Sequence, residues 1–169
     1  MQSIDLPRDN LKKSRDRAPL ELLIPPPAVA LIVAAAMWGA SRFVPSLEVP
    51  SAVRVASAST IALIGLGIDL TGILSLWRAQ TTLNPMNPAE ASSLVTSGIY
   101  KATRNPMYVG LLFLLVAWAV YLSSAWLLPG PVAFILYLNR YQIGPEERIL
   151  LAAFGDRYSE YMARVRRWL

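Results

Sequence analysis

Residues 107–141 read MYVGLLFLLVAWAVYLSSAWLLPGPVAFILYLNRY, and the fold of the chain depends on how this stretch is divided. Residues 107–128 could form one helix across a bilayer, which needs about 20 apolar residues. Residues 132–141 would then be too short to cross. Alternatively, Ser123 and Ser124 are the tip of a hairpin between two short helices, and the Pro-Gly-Pro sequence at 129–131 bends the second helix.

The composition favours a membrane protein of one domain. Of the 169 residues, 54% are hydrophobic and 16% are charged, whereas soluble domains carry about 25% charged residues. The chain has no cysteine and no histidine, which excludes disulfides, thiolate nucleophiles and the commonest general base and metal ligand. The chemistry must then use carboxylates, tyrosine, lysine, arginine, asparagine, hydroxyls or a bound cofactor. We attribute the net charge of +5 to membrane topology and expect neither a metal nor a nucleic-acid partner.

Two apolar runs precede this stretch. The first, 28–44, follows three prolines at 25–27 that stop any earlier helix, and the second, 53–77, is rich in small residues typical of closely packed membrane helices. The glycine-rich part of the second run follows no strand, so close helix packing explains it better than nucleotide binding. Asp69 lies within this run, and a carboxylate there indicates either a function or a buried hydrogen bond between helices.

The basic residues decide between one span and a hairpin. Lysine and arginine flanking membrane spans collect on the cytoplasmic side. A hairpin places on that side the N-terminal, central and C-terminal basic groups: Arg8, Lys12, Lys13, Arg15 and Arg17; Arg78, Lys101 and Arg104; and Arg140, Arg148, Arg157, Arg164, Arg166 and Arg167. A single span would put the six arginines of the last group outside.

We therefore predict an all-α, multi-pass integral membrane protein with four transmembrane helices, of which the last two form a tight hairpin. The predicted spans are 28–44, 53–77, 107–122 and 125–141. Residues 1–27 form a cytoplasmic N-terminal segment, and 28–169 form one membrane domain with both termini in the cytoplasm.

Two cytoplasmic pieces carry the remaining signals. In the loop, Asn105 and Pro106 suit the N-cap and first position of a helix whose start, beside Arg104, attracts anions. In the tail, Glu146 and Glu147 fall in the first turn of a helix that ends at Gly155. An amphipathic helix with Asp156 as its N-cap follows, with Tyr158, Tyr161, Met162, Val165 and Trp168 on one stripe. This last helix lies either on the membrane surface or against the domain.

Four motifs occur in order from about residue 84 to residue 168: LVTSGIY, RNPMYVG, the pair EE and FGDRYSEYMARVRRW. Together they make this half of the chain similar to the integral-membrane methyltransferases that use S-adenosylmethionine, which include isoprenylcysteine carboxyl methyltransferases and phospholipid N-methyltransferases. The family usually has Arg-His-Pro where this chain has Arg104-Asn105-Pro106. Asparagine can cap a helix and form hydrogen bonds but cannot titrate, so a base at this position is not expected.

The resemblance implies a cofactor site for S-adenosylmethionine in the loop and tail, residues 84–110 and 140–168. It implies that Glu146 or Glu147 binds the ribose or the ammonium group, and that Arg140 faces the substrate. We assign catalytic roles to Arg104, Arg140 and Glu147. The implied cofactor contacts are Ser93, Leu94, Val95, Tyr100, Asn105, Tyr108, Glu146 and Glu147.

The expected reaction is methyl transfer to a lipophilic or lipidated acceptor that enters from the membrane lipids. A carboxylate acceptor, as in an isoprenylcysteine-like substrate, is already nucleophilic, whereas an amine must first lose a proton and the chain has no histidine to take it. The alternatives are a phospholipid N-methyltransferase, a non-catalytic membrane scaffold and a sterol-reductase-like enzyme with a nicotinamide cofactor.

Overall fold

A computed structural model of the chain describes residues 21–81 and 92–169. Every regular element in these two ranges is helical, which confirms the all-α prediction for them. Most of the predicted N-terminal segment, including its basic residues, and residues 84–91 of the predicted cofactor loop lie outside the described residues. The helices are α1 (Pro26–Ala40), α2 (Ser51–Arg78), α3 (Pro106–Tyr121), α4 (Pro129–Leu138), α5 (Gly144–Phe154) and α6 (Asp156–Arg164).

The first two helices occupy the two apolar runs. α1 begins at Pro26, after Pro25 as N-cap, because proline is tolerated in the first helical turn. α2 has 28 residues, which corresponds to about 42 Å. By length and composition α2 is the only described helix that could cross a membrane, since the apolar α1 and α3 are shorter. Four crossings therefore stay a prediction.

The turn after α3 lies at the two serines. Ser123 has a left-handed backbone, with φ of 55°, and the Ser123 and Ser124 hydroxyls donate hydrogen bonds to the carbonyls of Leu47 (2.9 Å) and Pro45 (2.7 Å). A short 3-10 helix, Ala125–Leu127, then leads into α4. The chain thus turns back after Tyr121, as in the hairpin interpretation.

α4 and α5 are joined without a break by a π-helical segment, Asn139–Ile143. Pro145 has no N–H to donate to the carbonyl of Tyr141, four residues earlier. That carbonyl accepts a hydrogen bond from the Leu22 N–H instead, at 2.9 Å. The π segment is thereby fastened to the chain entering α1, and it places Gln142 and Ile143 in the interior.

α6 packs against the loop. Gly155, with φ of 54°, ends α5 and serves as the N-cap of α6, so the prediction of Asp156 as N-cap is wrong by one residue. The Tyr158 and Tyr161 rings are buried, and the Tyr161 hydroxyl donates to the carbonyl of Tyr100 at 2.7 Å. The structure thus shows the packed arrangement rather than a helix on a surface.

The residues at the end of the predicted stripe leave the helix. α6 ends at Arg164, and Val165 is extended. Val165 still packs on the tyrosine cluster, whereas Trp168 packs on the main core.

The main core lies among α1, α3, α4 and the π segment. Phe134, Leu138 and Ile143 are fully buried in it, and the Trp118 indole N–H of α3 donates to the Ala34 carbonyl of α1 at 3.0 Å. α2 packs mainly on α3, and its fully buried residues are small: Ala58, Gly65 and Gly72. Most of its large apolar side chains are exposed.

Candidate functional site

The first turn of α5 brings Glu146 against α3. The Glu146 carboxylate accepts hydrogen bonds at Oε1 from the Tyr108 hydroxyl (2.5 Å) and the Gln142 amide (2.6 Å). Gln142 lies four residues before Glu146, which places both side chains on one helix face. Glu146 is only partly exposed, and the atoms packed around its carboxyl raise its pKa from 4.5 to about 7.

Glu147 points in another direction and binds two arginines. Its Oε1 lies 3.0 Å from Nη2 of Arg104. Arg167 contacts both carboxylate oxygens, with Nε 3.0 Å from Oε1 and Nη2 2.5 Å from Oε2, which is the two-pronged geometry of strong arginine–carboxylate pairs. The hydrogen bonds to Glu147 raise the pKa of Arg167, so the cluster is one carboxylate between two permanent cations.

The last residues of the chain cover the start of α3. The Arg104 N–H donates to the carbonyl of Arg166 at 3.0 Å. The Arg167 carbonyl accepts from the Thr103 hydroxyl at 3.2 Å and from the Asn105 side-chain amide at 2.8 Å. Residues 165–169, which we call the C-terminal segment, thus run beside the RNP motif as one wall of the site.

Trp168 fixes the far end of this segment. Its indole N–H donates to Oδ1 of Asn139, at the start of the π segment, at 3.0 Å. The C-terminal segment is therefore held both at the loop and at the π segment, and Arg167 within it binds Glu147.

Asn105 occupies the predicted N-cap position of α3, but its side chain makes no capping hydrogen bond. The amide donates to Arg167 instead. The position of the helix start was correct, and the expected capping role of the side chain was wrong, because the C-terminal segment offers the amide a partner.

Three further predicted residues lie in a neighbouring apolar cluster. Tyr100 is buried with Tyr158 and Tyr161, and Leu94 and Val95 pack on the same cluster. Burial, and to a smaller extent the charge of Glu147, raises the pKa of Tyr158. This cluster therefore adjoins Glu146 and Glu147, which we call the acidic pair. It provides an apolar wall next to the charged groups.

Two predicted residues are not brought to the acidic pair by any contact in the described structure. Ser93 donates its hydroxyl to the Ala79 carbonyl at the end of α2, at 3.2 Å. Arg140 is exposed, with its guanidinium 5.9 Å from the ring centre of Tyr141. The roles of both stay predictions.

Thr103, Gln142 and Arg167 were missed by the sequence reasoning. Gln142 had a signal, because it is a polar residue one helical turn before Glu146 at the end of an apolar run. Thr103 and Arg167 had none, since their pairing depends on the return of the chain across Gly155. We call the whole set the polar end of the bundle: Thr103, Arg104, Asn105, Tyr108, Gln142, Glu146, Glu147 and Arg167.

The polar end carries charges suited to a zwitterionic ligand. Arg104, Arg167 and Glu147 sum to one positive charge, and Nε of Arg104 is buried without a hydrogen-bond partner. A buried donor without a partner is costly, so a carboxylate oxygen fits there. Glu146, in the same helical turn as Glu147, offers a carboxyl group that suits the positively charged part of such a ligand.

The sequence model of the phospholipid methyltransferase family matches residues 53–157. An uncharacterized protein of Haemophilus influenzae is 49% identical over 65 residues, which are 37% of this chain and 100% of that protein. Protein-S-isoprenylcysteine O-methyltransferases B and A of Arabidopsis thaliana are 32% and 33% identical over 109 and 106 residues, or 63% and 61% of this chain. The chain spans about half the length of these two plant relatives, 54% and 52%. These matches confirm the predicted resemblance.

Proposed function

The chain belongs to the phospholipid methyltransferase family, and we propose that it is a membrane enzyme that transfers a methyl group from S-adenosylmethionine to a carboxylate of a lipophilic acceptor. The main support for this proposal is that the RNP motif and the C-terminal segment both contact Glu147 of the EE pair. Residues 104, 147 and 167 are far apart in the sequence, and their ion pairs join them in one site.

The residues of the polar end fit the cofactor. Its carboxylate suits Arg104, whose Nε has no partner in the described structure. Its ribose hydroxyls and ammonium group suit the acidic pair, and its adenine suits the apolar wall of Leu94, Val95 and Tyr100. When bound, the cofactor supplies a sulfonium methyl group that an acceptor oxygen takes by displacement, which leaves a methyl ester and S-adenosylhomocysteine.

The protein's part in this reaction is positioning and the exclusion of water. Arg104 and Arg167 hold Glu147 in one orientation, and Tyr108 and Gln142 hold Glu146. Alignment of two reacting groups can lower the activation barrier by about 7–11 kcal/mol. Such fixed side chains therefore suit a displacement that needs no acid or base. The plant relatives carry O-methyltransferase in their names, which favours an oxygen acceptor.

Calorimetry with S-adenosylhomocysteine tests the cofactor site. Tyr108→Phe removes the hydroxyl that donates to Glu146, and we expect at least tenfold weaker binding by detergent-solubilised protein that remains folded. Tyr121→Phe is the matched control, because Tyr121 is exposed at the other end of α3. Failure of the folded wild-type protein to bind would favour the non-catalytic scaffold.

Glu146 supports phospholipid N-methylation as a second candidate function. With a pKa of about 7, its carboxylate could accept the proton that an amine acceptor must lose, a role for which the sequence offered no histidine. Labelled methyl product separates the two candidates, because a methyl ester is lost in mild base and an N-methyl group is retained. Loss of the label in base supports the carboxylate acceptor.

A further inference from the structure

A cleft of about 260 Å³ lies at the end of the bundle remote from the polar end. Arg54, near the start of α2, borders the cleft. The other end of α2 lies at the loop, because the Ala79 carbonyl just after α2 accepts the hydrogen bond from Ser93. Residue 78 lies 24 residues after residue 54 in the same helix, which corresponds to about 36 Å. The lining includes Leu47, Val49, Arg54, Ser57, Val120 and Leu128.

Carbon atoms form most of this lining. Leu47 and Leu128 at the rim are 57% and 51% exposed, so the apolar surface continues outward from the cleft. Arg54 is the only charged residue among those that line it. The occupant that fits has an apolar part and one anionic group.

Arg54 has no acidic partner in the described part of the chain. Its Nε is buried without a hydrogen-bond partner, and its guanidinium lies 5.6 Å from the ring centre of Tyr121. Arg104 and Arg148, in contrast, each pair with a glutamate. A partly buried guanidinium of this kind attracts an anion from outside the chain.

We propose that this cleft binds an anionic membrane phospholipid, with the phosphate on Arg54 and an acyl chain along the apolar rim. Arg54 lies in the first turn of α2, the described helix that is long and apolar enough to cross a bilayer, and lipid phosphates lie at the level of such helix ends. Basic pockets between membrane helices bind anionic head groups, and the guanidinium fork matches a phosphate.

The size of the cleft agrees with this occupant. Sites that enclose a whole small molecule measure about 300–1,000 Å³, so this cleft holds the phosphate and the start of a chain while the remainder stays in the bilayer. Ser57, three residues after Arg54 and on the same face of α2, offers a hydroxyl to the glycerol. The site is independent of methyl transfer, because it lies at the other end of the bundle.

Native mass spectrometry of the full chain, released from detergent with palmitoyl-oleoyl phosphatidylglycerol or phosphatidylcholine, tests the proposal. We expect phosphatidylglycerol to be retained at least tenfold more than phosphatidylcholine. Arg54→Gln should abolish this preference. Arg42→Gln should preserve it, because Arg42 is an exposed arginine just after α1 whose guanidinium lies 4.3 Å from the Trp38 ring centre.

Ser57→Trp serves as a second variant, since a bulky ring at the exposed mouth should block retention while Arg54 stays intact. Equal retention of phosphatidylglycerol by wild type and both cleft variants would overturn the proposal. Equal losses in Arg54→Gln and Arg42→Gln would also overturn it, because general surface charge would then explain binding. Displacement of the lipid by an equal concentration of inorganic phosphate would show a free-anion site and reject the lipid.

Discussion

At the polar end, α3 and α5 are joined by charged and hydrogen-bonded side chains, whereas α2 and α3 cross through glycines. A Cβ at Gly110 would collide with Asp69 and come within 2.7 Å of the Gly65 carbonyl oxygen, so the two backbones nearly touch there. A Cβ at Gly72 would lie 3.1 Å from Pro106. The crossing therefore fixes where α3 begins, and the polar end depends on that position for Tyr108 to reach Glu146.

Substitutions in these two regions should have different effects. Substitutions at the crossing should change the fold and the site together, because a Cβ at Gly65 or Gly110 would meet the backbone carbonyl of the other glycine. Substitutions at the polar end should change ligand binding or pH dependence while the helices stay packed.

The largest effect is expected for Gly110→Leu. Overpacking typically costs about 1–3 kcal/mol, and a collision with backbone belongs at the upper end of that range. For a chain of this size we expect an unfolding midpoint roughly 6–12 °C lower, measured by thermal unfolding in detergent. Gly67→Leu is the control, because nothing lies within 4 Å of a Cβ at that position. Equal midpoints for the two variants would contradict the close crossing.

The next effect is the pH dependence that Glu146 confers on stability. Because the folded-state pKa of Glu146, about 7, lies above the ordinary glutamate pKa of 4.5, its contribution to stability is fully present below pH 4.5 and is lost as the pH rises through 7. The stability of the wild type relative to Glu146→Gln should fall by on the order of 3 kcal/mol between pH 4 and pH 8.

Chemical unfolding of both proteins at several pH values measures this difference. Glu160→Gln, at an exposed position of α6, is measured beside it as the control for replacing a glutamate outside the polar end. A difference for Glu146→Gln that does not change with pH would show that its carboxyl is not held in the environment described.

The third effect concerns Glu147, which holds Arg104 and Arg167 together. Glu147→Gln removes the charge from a partly buried cluster and leaves two cations facing each other, so the C-terminal segment should loosen. We expect S-adenosylhomocysteine to bind at least tenfold more weakly, by calorimetry. Unchanged affinity would remove Glu147 from the proposed cofactor site, and Glu160→Gln is again the control.

Hydropathy and turn chemistry were sufficient to predict the helices and their order. The hydrophobic run ending near Ser123, the prolines at 25–27 and the glycine at 155 each mark a boundary that the structure reproduces within a few residues. The EE pair and the RNP motif indicated the candidate site through the resemblance to the methyltransferase family, of which they are two of the four motifs.

The C-terminal wall of the site could not be predicted in this way. The pairing of Arg167 with Glu147 joins residues on opposite sides of the turn at Gly155, and no local pattern encodes it. The π segment was equally hidden, although its cause is visible afterwards in Pro145 and in the Tyr141 carbonyl, which accepts a hydrogen bond from Leu22 instead of from residue 145. A π turn holds more residues than an α turn, which changes the direction of Arg140 relative to an uninterrupted helix.

The smallest effect is expected for Arg140→Ala. Its side chain is exposed over Tyr141, so S-adenosylhomocysteine affinity should change by less than about twofold, whereas methyl transfer to the acceptor should fall several-fold if this arginine meets the substrate. Arg157→Ala is the matched control, because Arg157 is an exposed arginine on α6 and substitutions at exposed positions usually change stability by less than about 0.5 kcal/mol. Loss of cofactor affinity in Arg140→Ala alone would instead join Arg140 to the polar end and reject the division between cofactor and substrate residues.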